Sequence, residues 1–195
     1  MSDRGDDRRR KLLDAAVAVF ARKGFHASRV GDIAEEAGVA HGLLYHYFRS
    51  KDEVLQTIAR ETWERLVADV ERIEASGGPL DEQLRRFARG YLRSWLTAPA
   101  LVRVLVLEVG RSPALAGRVE GLGEVFVGLR RLVEAAQRRG EVRADCDARL
   151  AAWIVYGALE EILTGWVLEQ LPSAEADVDR AVAAVVDVAS AGLAA

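Results

Sequence analysis

Tyr45, His46 and Tyr47 stand in a row four residues after His41, and Lys51 follows four residues later. These groups suit the gripping of anions and base edges: phenols and imidazoles donate hydrogen bonds, and an ammonium binds a phosphate oxygen as a point charge. They do not make a catalytic set. No nucleophile elbow accompanies the Ser, His and acidic residues, so an enzyme is not expected. The histidines are His26, His41 and His46. The last two lie too far apart in register to share a helix face, and no HExxH or Cys/His cluster occurs, so no metal site is expected. The single cysteine, Cys146, lies between Asp145 and Asp147, where nothing favours a thiolate. Gly121-Leu122-Gly123 has the start of a dinucleotide fingerprint but falls in a helical pattern with no strand before it, so no cofactor is expected.

Two short helices must position the polar row. Val30, Ile33, Ala34 and Ala37 give the first an apolar face, with Ser28 placed to cap it. Gly38 stops that helix in the left-handed conformation, and Val39 packs under the turn. The second helix runs from about Ala40 to Tyr47, with Leu44 and Phe48 turned to the core. Two helices about a glycine turn form a helix-turn-helix, whose second helix enters the DNA major groove. Ala40, His41, Gly42 and Leu43 then lie at the groove-facing start, and Gly42 lets the backbone come close. Tyr47 is expected on phosphate, Tyr45 to be part core and part surface, and His46 to be exposed. Ser28 and Arg29 complete the set of expected DNA contacts. Ser50-Lys51-Asp52-Glu53 reads as a capping box opening the next helix, with Lys51 as a phosphate clamp. The basic run Arg8 to Lys11 is either a solvated arm or a further phosphate contact.

The string I-A-E-E-A-G-V-A-H-G-L-L-Y-H-Y-F-R-S-K-D-E-V-L, from Ile33 to Leu55, resembles the TetR family of bacterial transcription regulators, and the likeness reaches back to Leu12. It departs from that pattern at Ala40, where a capping Ser or Thr is usual, at His41, where Lys or Arg is commoner, and at Gly31, which weakens the first short helix.

The 195 residues carry 27 Lys+Arg and 30 Asp+Glu, a net charge of −3. Residues 1–60 hold a local net of +2 and the remainder −5, which suits a chain that meets DNA with one end only. One cysteine excludes an internal disulfide, the N-terminus has no signal-peptide pattern, and no apolar run approaches the ~18 residues of a membrane span. A soluble cytoplasmic protein is expected.

The chain reads as all-α, with about nine helices. Residues 1–7 are expected to be disordered. A helix carries Leu12, Leu13, Ala16, Val17 and Phe20 and ends at Gly24. A long helix runs from Ser50 to about Ser76, and Gly77-Gly78-Pro79 breaks it. The boundary between a DNA-binding domain, 1–55, and a ligand-binding and dimerisation domain, 56–195, falls within that helix. Further helices are expected over about 80–96, 114–139, 147–170 and 174–191, with a short apolar segment over 100–109. The helix after Asp147 is apolar nearly all round, so it needs two neighbours. Pairing the last two helices with a second copy gives a homodimer through Val155, Leu159, Ile162, Trp166, Val182 and Val186. Such a dimer presents two recognition helices to an inverted-repeat operator.

Trp95, Val102, Leu105, Val106, Leu122, Val125, Phe126, Leu129, Trp153 and Tyr156 either line one cavity or are ordinary core. Arg103, Arg111, Arg118, Arg130 and Arg131 surround them, which suits a lipophilic effector with an anionic head. Of Glu160 and Glu161, one is expected to face solvent or a partner arginine. The stretch from Gly140 to Leu168, with E-V-G-R-S-P-A-L from Glu108, resembles TetR-type regulators of fatty-acid degradation. That resemblance implies long-chain acyl-CoA as effector; a lipophilic drug acting on an efflux-gene regulator is the rival. From another class, the chain reads as a small-molecule carrier without DNA binding.

Overall fold

The computed structural model describes residues 3–109 and 120–194. Among them are nine α-helices: α1 (Asp3–Lys23), α2 (Val30–Glu36), α3 (His41–Tyr47), α4 (Lys51–Ser76), α5 (Leu80–Thr97), α6 (Pro99–Val104), α7 (Glu120–Arg138), α8 (Ala148–Val167) and α9 (Glu175–Leu193). A π-helical turn, Leu105–Val109, continues α6. The described residues form no sheet, only an isolated antiparallel bridge between Val142 and Ala194. The short apolar segment expected over 100–109 is thus two conformations in series.

α1 begins at Asp3, so disorder through residue 7 does not hold for the described part. Asp6 and Asp7 lie towards the positive end of the helix dipole, and Arg22 and Lys23 meet the negative end. Leu12, Leu13, Ala16, Val19 and Phe20 are buried along one stripe. Gly24 adopts φ +79°, which ends α1, and the Phe25 ring folds back edge-on against Phe20 at 5.2 Å.

The chain divides into two units, Met1–Thr62 with Pro99–Val119, and Trp63–Ala98 with Glu120–Ala195. By contacts, α4 passes from one unit to the other at Thr62–Trp63, within the same helix in which the domain boundary is expected. The first unit also takes in α6 and the π turn, because α6 packs on α1.

In the second unit α5 packs on α9, and α7 on α8. Leu84, Phe87, Leu92, Leu129, Leu132, Leu159, Val182 and Val186 fill this core. Asp147 caps α8 as expected, its Oδ1 accepting from the N–H groups of Arg149 at 2.8 Å and Leu150 at 3.1 Å. α7 lies tightly along α4. A Cβ on Gly121 would stand 2.9 Å from the Trp63 Cβ, and one on Gly128 would stand 2.5 Å from the Val70 Cγ1. One turn on, Arg131 reaches Glu74 at 2.9 Å. Contacts that advance together along both helices mean that the two run parallel. Gly121, which began a nucleotide fingerprint in the sequence, is a packing residue.

Candidate functional site

In the helix-turn-helix, Ile33, Ala34, Leu44 and Phe48 are buried, as are Phe20 of α1 and Val54 of α4. Each large apolar side chain buried there contributes about 1.5–3 kcal/mol. Gly38 adopts φ +64°, and the N–H groups of Gly38 and Val39 donate back to the carbonyls of Glu35 and Ala34, both at 3.0 Å. Ala40 precedes α3 in an extended conformation and gives no side-chain cap. Its carbonyl accepts from Leu43 N at 2.9 Å, so the helix starts without the usual hydroxyl.

This frame leaves His41, Gly42, Tyr45 and His46 exposed on one side, with Leu43 and Tyr47 half-buried. Tyr45 is 59% exposed and Tyr47 half-buried, so in exposure the two phenols are the reverse of the expected order. The Tyr47 ring is held edge-on by His46 at 5.1 Å. A Cβ on Gly31 would stand 2.5 Å from the His41 Nε2. The glycine that weakens α2 therefore makes room for the His41 imidazole of the next helix.

Two of the expected DNA contacts make bonds within the head. The Ser28 side chain is buried and its hydroxyl donates to the Phe25 carbonyl at 2.7 Å. It neither caps α2 nor reaches outward. Arg29 is the extended residue before α2, and its N–H donates to the Asp32 carboxylate at 2.7 Å. Lys51 Nζ donates to three carbonyls, Phe25 at 2.8 Å, His26 at 3.2 Å and Ser28 at 3.0 Å, and lies over the Phe25 ring at 4.6 Å. All three of its protons are engaged on the turn between α1 and α2. From the other side, Phe25 N donates to Glu108 Oε1 of the π turn at 3.0 Å.

The capping box forms with a one-residue shift: Ser50 Oγ accepts from Glu53 N at 3.2 Å, while the Glu53 carboxylate takes Arg49 N at 2.6 Å. Lys23 reaches Asp32 at 2.8 Å and Arg22 reaches Glu36 at 2.7 Å, tying α1 to α2. The Lys23 ammonium, then the Arg29 N–H, hold the Asp32 carboxyl below the usual carboxylate range. In the basic run, Arg9 is bound to Glu61 at 2.6 Å, while Arg8, Arg10 and Lys11 are exposed.

In the second unit, the structure brings together only part of the expected ligand set. The Phe126 ring stacks on Trp153 at 4.1 Å and meets Tyr156 edge-on at 4.9 Å. Val125 and Leu129 are core, Leu122 and Trp95 are half-buried, and Val102, Leu105 and Val106 belong to the first unit. Beside Phe126 lies a polar chain that the sequence reading missed. The Trp63 indole binds the Tyr156 hydroxyl, which lies 3.2 Å from the Tyr91 hydroxyl, and Tyr91 donates to the Glu160 carboxylate. Burial first of all, with the Glu160 charge adding to it, raises both phenols well above the usual tyrosine value. They stay protonated donors. Glu160 thus turns inward to tyrosines, and Glu161 is the exposed one. Of the arginines, Arg131 is held by Glu74 and Arg130 by Glu134 at 3.3 Å, while Arg111 and Arg118 lie outside the described residues.

The residues expected at the dimer face lie mostly inside the chain. Val155, Leu159, Trp166, Val182 and Val186 are buried in the chain's own core, and Ile162 is half-buried. The opposite side of the same helices carries Leu150, Trp153 and Ile154 on α8 and Val188 on α9, with Ile154 70% and Val188 76% exposed. A helix apolar all round offers no sign of which side its own chain will cover.

The family model described as bacterial regulatory proteins, tetR family, matches residues 12–58, and that of the tetracyclin repressor-like C-terminal domain matches residues 74–185. The chain belongs to the TetR family. It is a DNA-binding transcription regulator. The fatty acid metabolism regulator protein of Bacillus subtilis is 29% identical over 163 residues, 81% of this chain and 82% of that one. The fatty acid degradation regulator FadR of Bacillus halodurans superposes with a TM-score of 0.87 at 28% identity, over 95% of this chain and 96% of that one. FadR of Bacillus subtilis in complex with stearoyl-CoA superposes at 0.84 with 26% identity, over 94% and 98%.

Proposed function

We propose that this TetR-family regulator is a repressor that long-chain acyl-CoA releases from an inverted-repeat operator. The observation that carries this reading is the likeness, over nearly the whole of both chains, to a structure crystallised with stearoyl-CoA. The apolar body supports it: Phe126, Trp153 and Tyr156 form an aromatic cluster with polar partners at one end, a composition suited to an acyl chain with a polar terminus.

The working unit is a homodimer in the cytoplasm, joined through the outer sides of α8 and α9. Leu150, Ile154 and Val188 would otherwise leave a large apolar patch in water. A two-fold pair places two α3 helices on half-sites about 34–36 Å apart. Effector binding in the body then favours a dimer whose two heads are mis-spaced for one DNA face, a shift between two pre-existing states.

The test is fluorescence anisotropy on DNA from the gene's own upstream region, titrated with protein and then with palmitoyl-CoA or stearoyl-CoA. Salt-sensitive binding reversed by the acyl-CoA is expected. Binding that acyl-CoA leaves untouched overturns the effector, and equal acyl-CoA affinity for free and DNA-bound protein overturns the mechanism.

A further inference from the structure

The turn between α1 and α2 sets the angle at which the helix-turn-helix leaves α1, and it is clamped at one residue. The carbonyl of Phe25 receives Lys51 from α4, and its N–H donates to Glu108. Glu108 comes from the π turn, 83 residues further along the chain and outside the 12–58 segment that matches the family's DNA-binding head. Its carboxylate lies over the end of α1, 3.6 Å from where a Gly24 Cβ would be. The end of a helix is an unfavourable place for an anion, because unpaired carbonyls gather there. Arg22 and Lys23, the cations of that last turn, are engaged by Glu36 and Asp32. What holds Glu108 there is the N–H of Phe25.

The bond also depends on backbone register. A π turn takes up more residues than an α turn, and such turns recur at functional positions. In an α-helix each residue advances by about 100°. Tightening Leu105–Val109 into an α turn would swing Glu108 off its line to Phe25, while Val102 and Val104 of α6 stayed buried. The contact therefore exists in one register of this segment and not in the other.

We propose that Glu108 is a positioning residue for DNA binding: a latch, closed in the π register of Leu105–Val109, that fixes the α1–α2 turn and so the presentation of α3. A residue that touches no DNA then contributes to DNA affinity, and any event that rewinds the π turn opens the head. The inference needs the DNA binding of the family but not the acyl-CoA reading, so either can fail alone.

The test uses the full chain and an operator selected from random sequence with the wild type, read by anisotropy across a salt series, with amide exchange at Phe25. Glu108→Ala is expected to bind about tenfold weaker, the size of one hydrogen bond to a charged group. Its salt slope should match the wild type, because no phosphate contact is lost. The Phe25 amide should exchange faster. Glu108→Gln keeps an acceptor of the same reach and should bind within about threefold of wild type on that hydrogen-bond scale. Wild-type affinity in Glu108→Ala, or a slope lowered by one contact, overturns the latch. If Glu108→Ala does not fold, Glu108→Asp against Glu108→Gln decides: the charged but shorter side chain must weaken binding and the neutral, longer one must hold it. The opposite order shows that charge, and not reach, is what matters, and overturns the proposal.

Discussion

Two polar networks, one in each unit, are built in opposite ways. In the head, Lys51, Ser28 and Glu108 are all spent on the backbone, gripping the carbonyls and N–H of residues 25–28. In the body, Trp63, Tyr156, Tyr91 and Glu160 are spent on one another. A side chain bound to backbone fixes the path of the chain, which suits an element that must present α3 in one geometry. Side chains bound to each other fix only rotamers, and a ligand group with a matching donor or acceptor can replace one of them at little cost to the fold. The head is thus built to be held and the body to be rewired.

Ile154→Arg stands outside both networks and calibrates the comparison. It puts a charge in the exposed apolar face of α8 and should give a monomer by light scattering, with DNA affinity lowered by about 10²–10⁴-fold through lost bivalency. A dimer that survives this change moves the interface elsewhere. Lys51→Ala removes the head's central clamp and leaves three carbonyls without their cation. Urea unfolding should show a loss of about 2–3 kcal/mol in the head. DNA binding should fall while its salt slope stays at the wild-type value; a slope reduced by one contact would return Lys51 to phosphate.

Tyr156→Phe should cost only about 1 kcal/mol, since it cuts one link of a side-chain chain. Its larger mark should be on acyl-CoA response, measured as the ratio of DNA affinities with and without ligand. An unchanged ratio would make the tyrosines plain core.

The smallest effects come from pH and have opposite sign in the two units. The Asp32 carboxyl is depressed in the folded head, so its contribution is present above the ordinary carboxylate range and is lost as pH falls through the lowered value. The Tyr91 and Tyr156 hydroxyls are raised in the folded body, so their contribution is complete below the ordinary value of 10 and is lost as pH rises beyond it. Melting curves of wild type, Asp32→Asn and Tyr156→Phe at both extremes should separate the two limits.

Local signals made the head legible. Gly38 and the spacing of Ile33, Ala34, Leu44 and Phe48 fix a helix-turn-helix within twenty residues, and the Asp147 cap and the Gly77-Gly78-Pro79 break mark α8 and α4 equally locally. What the sequence did not carry is contact at long range. The type and place of Lys51 suit a phosphate, and only the folded turn shows three carbonyls converging on it as well. Nothing in a string of residues pairs Glu108 with Phe25. On α8 the apolar residues run around the whole helix, so periodicity could not tell which side the chain's own core covers. Glu160 was the one legible hint of the body's network, an acid amid apolar neighbours.

The imidazole of His41 resting on Gly31 has a consequence for protein engineering. A recognition helix from another regulator, spliced in to give a new operator preference, would arrive with its own first residue, and that residue must share the hollow over position 31. Conversely, His41 carried into a scaffold with alanine there would meet a Cβ about where its ring now lies. The first residue of α3 and position 31 of α2 share one space, and a chimera that moves one helix must bring residue 31 along.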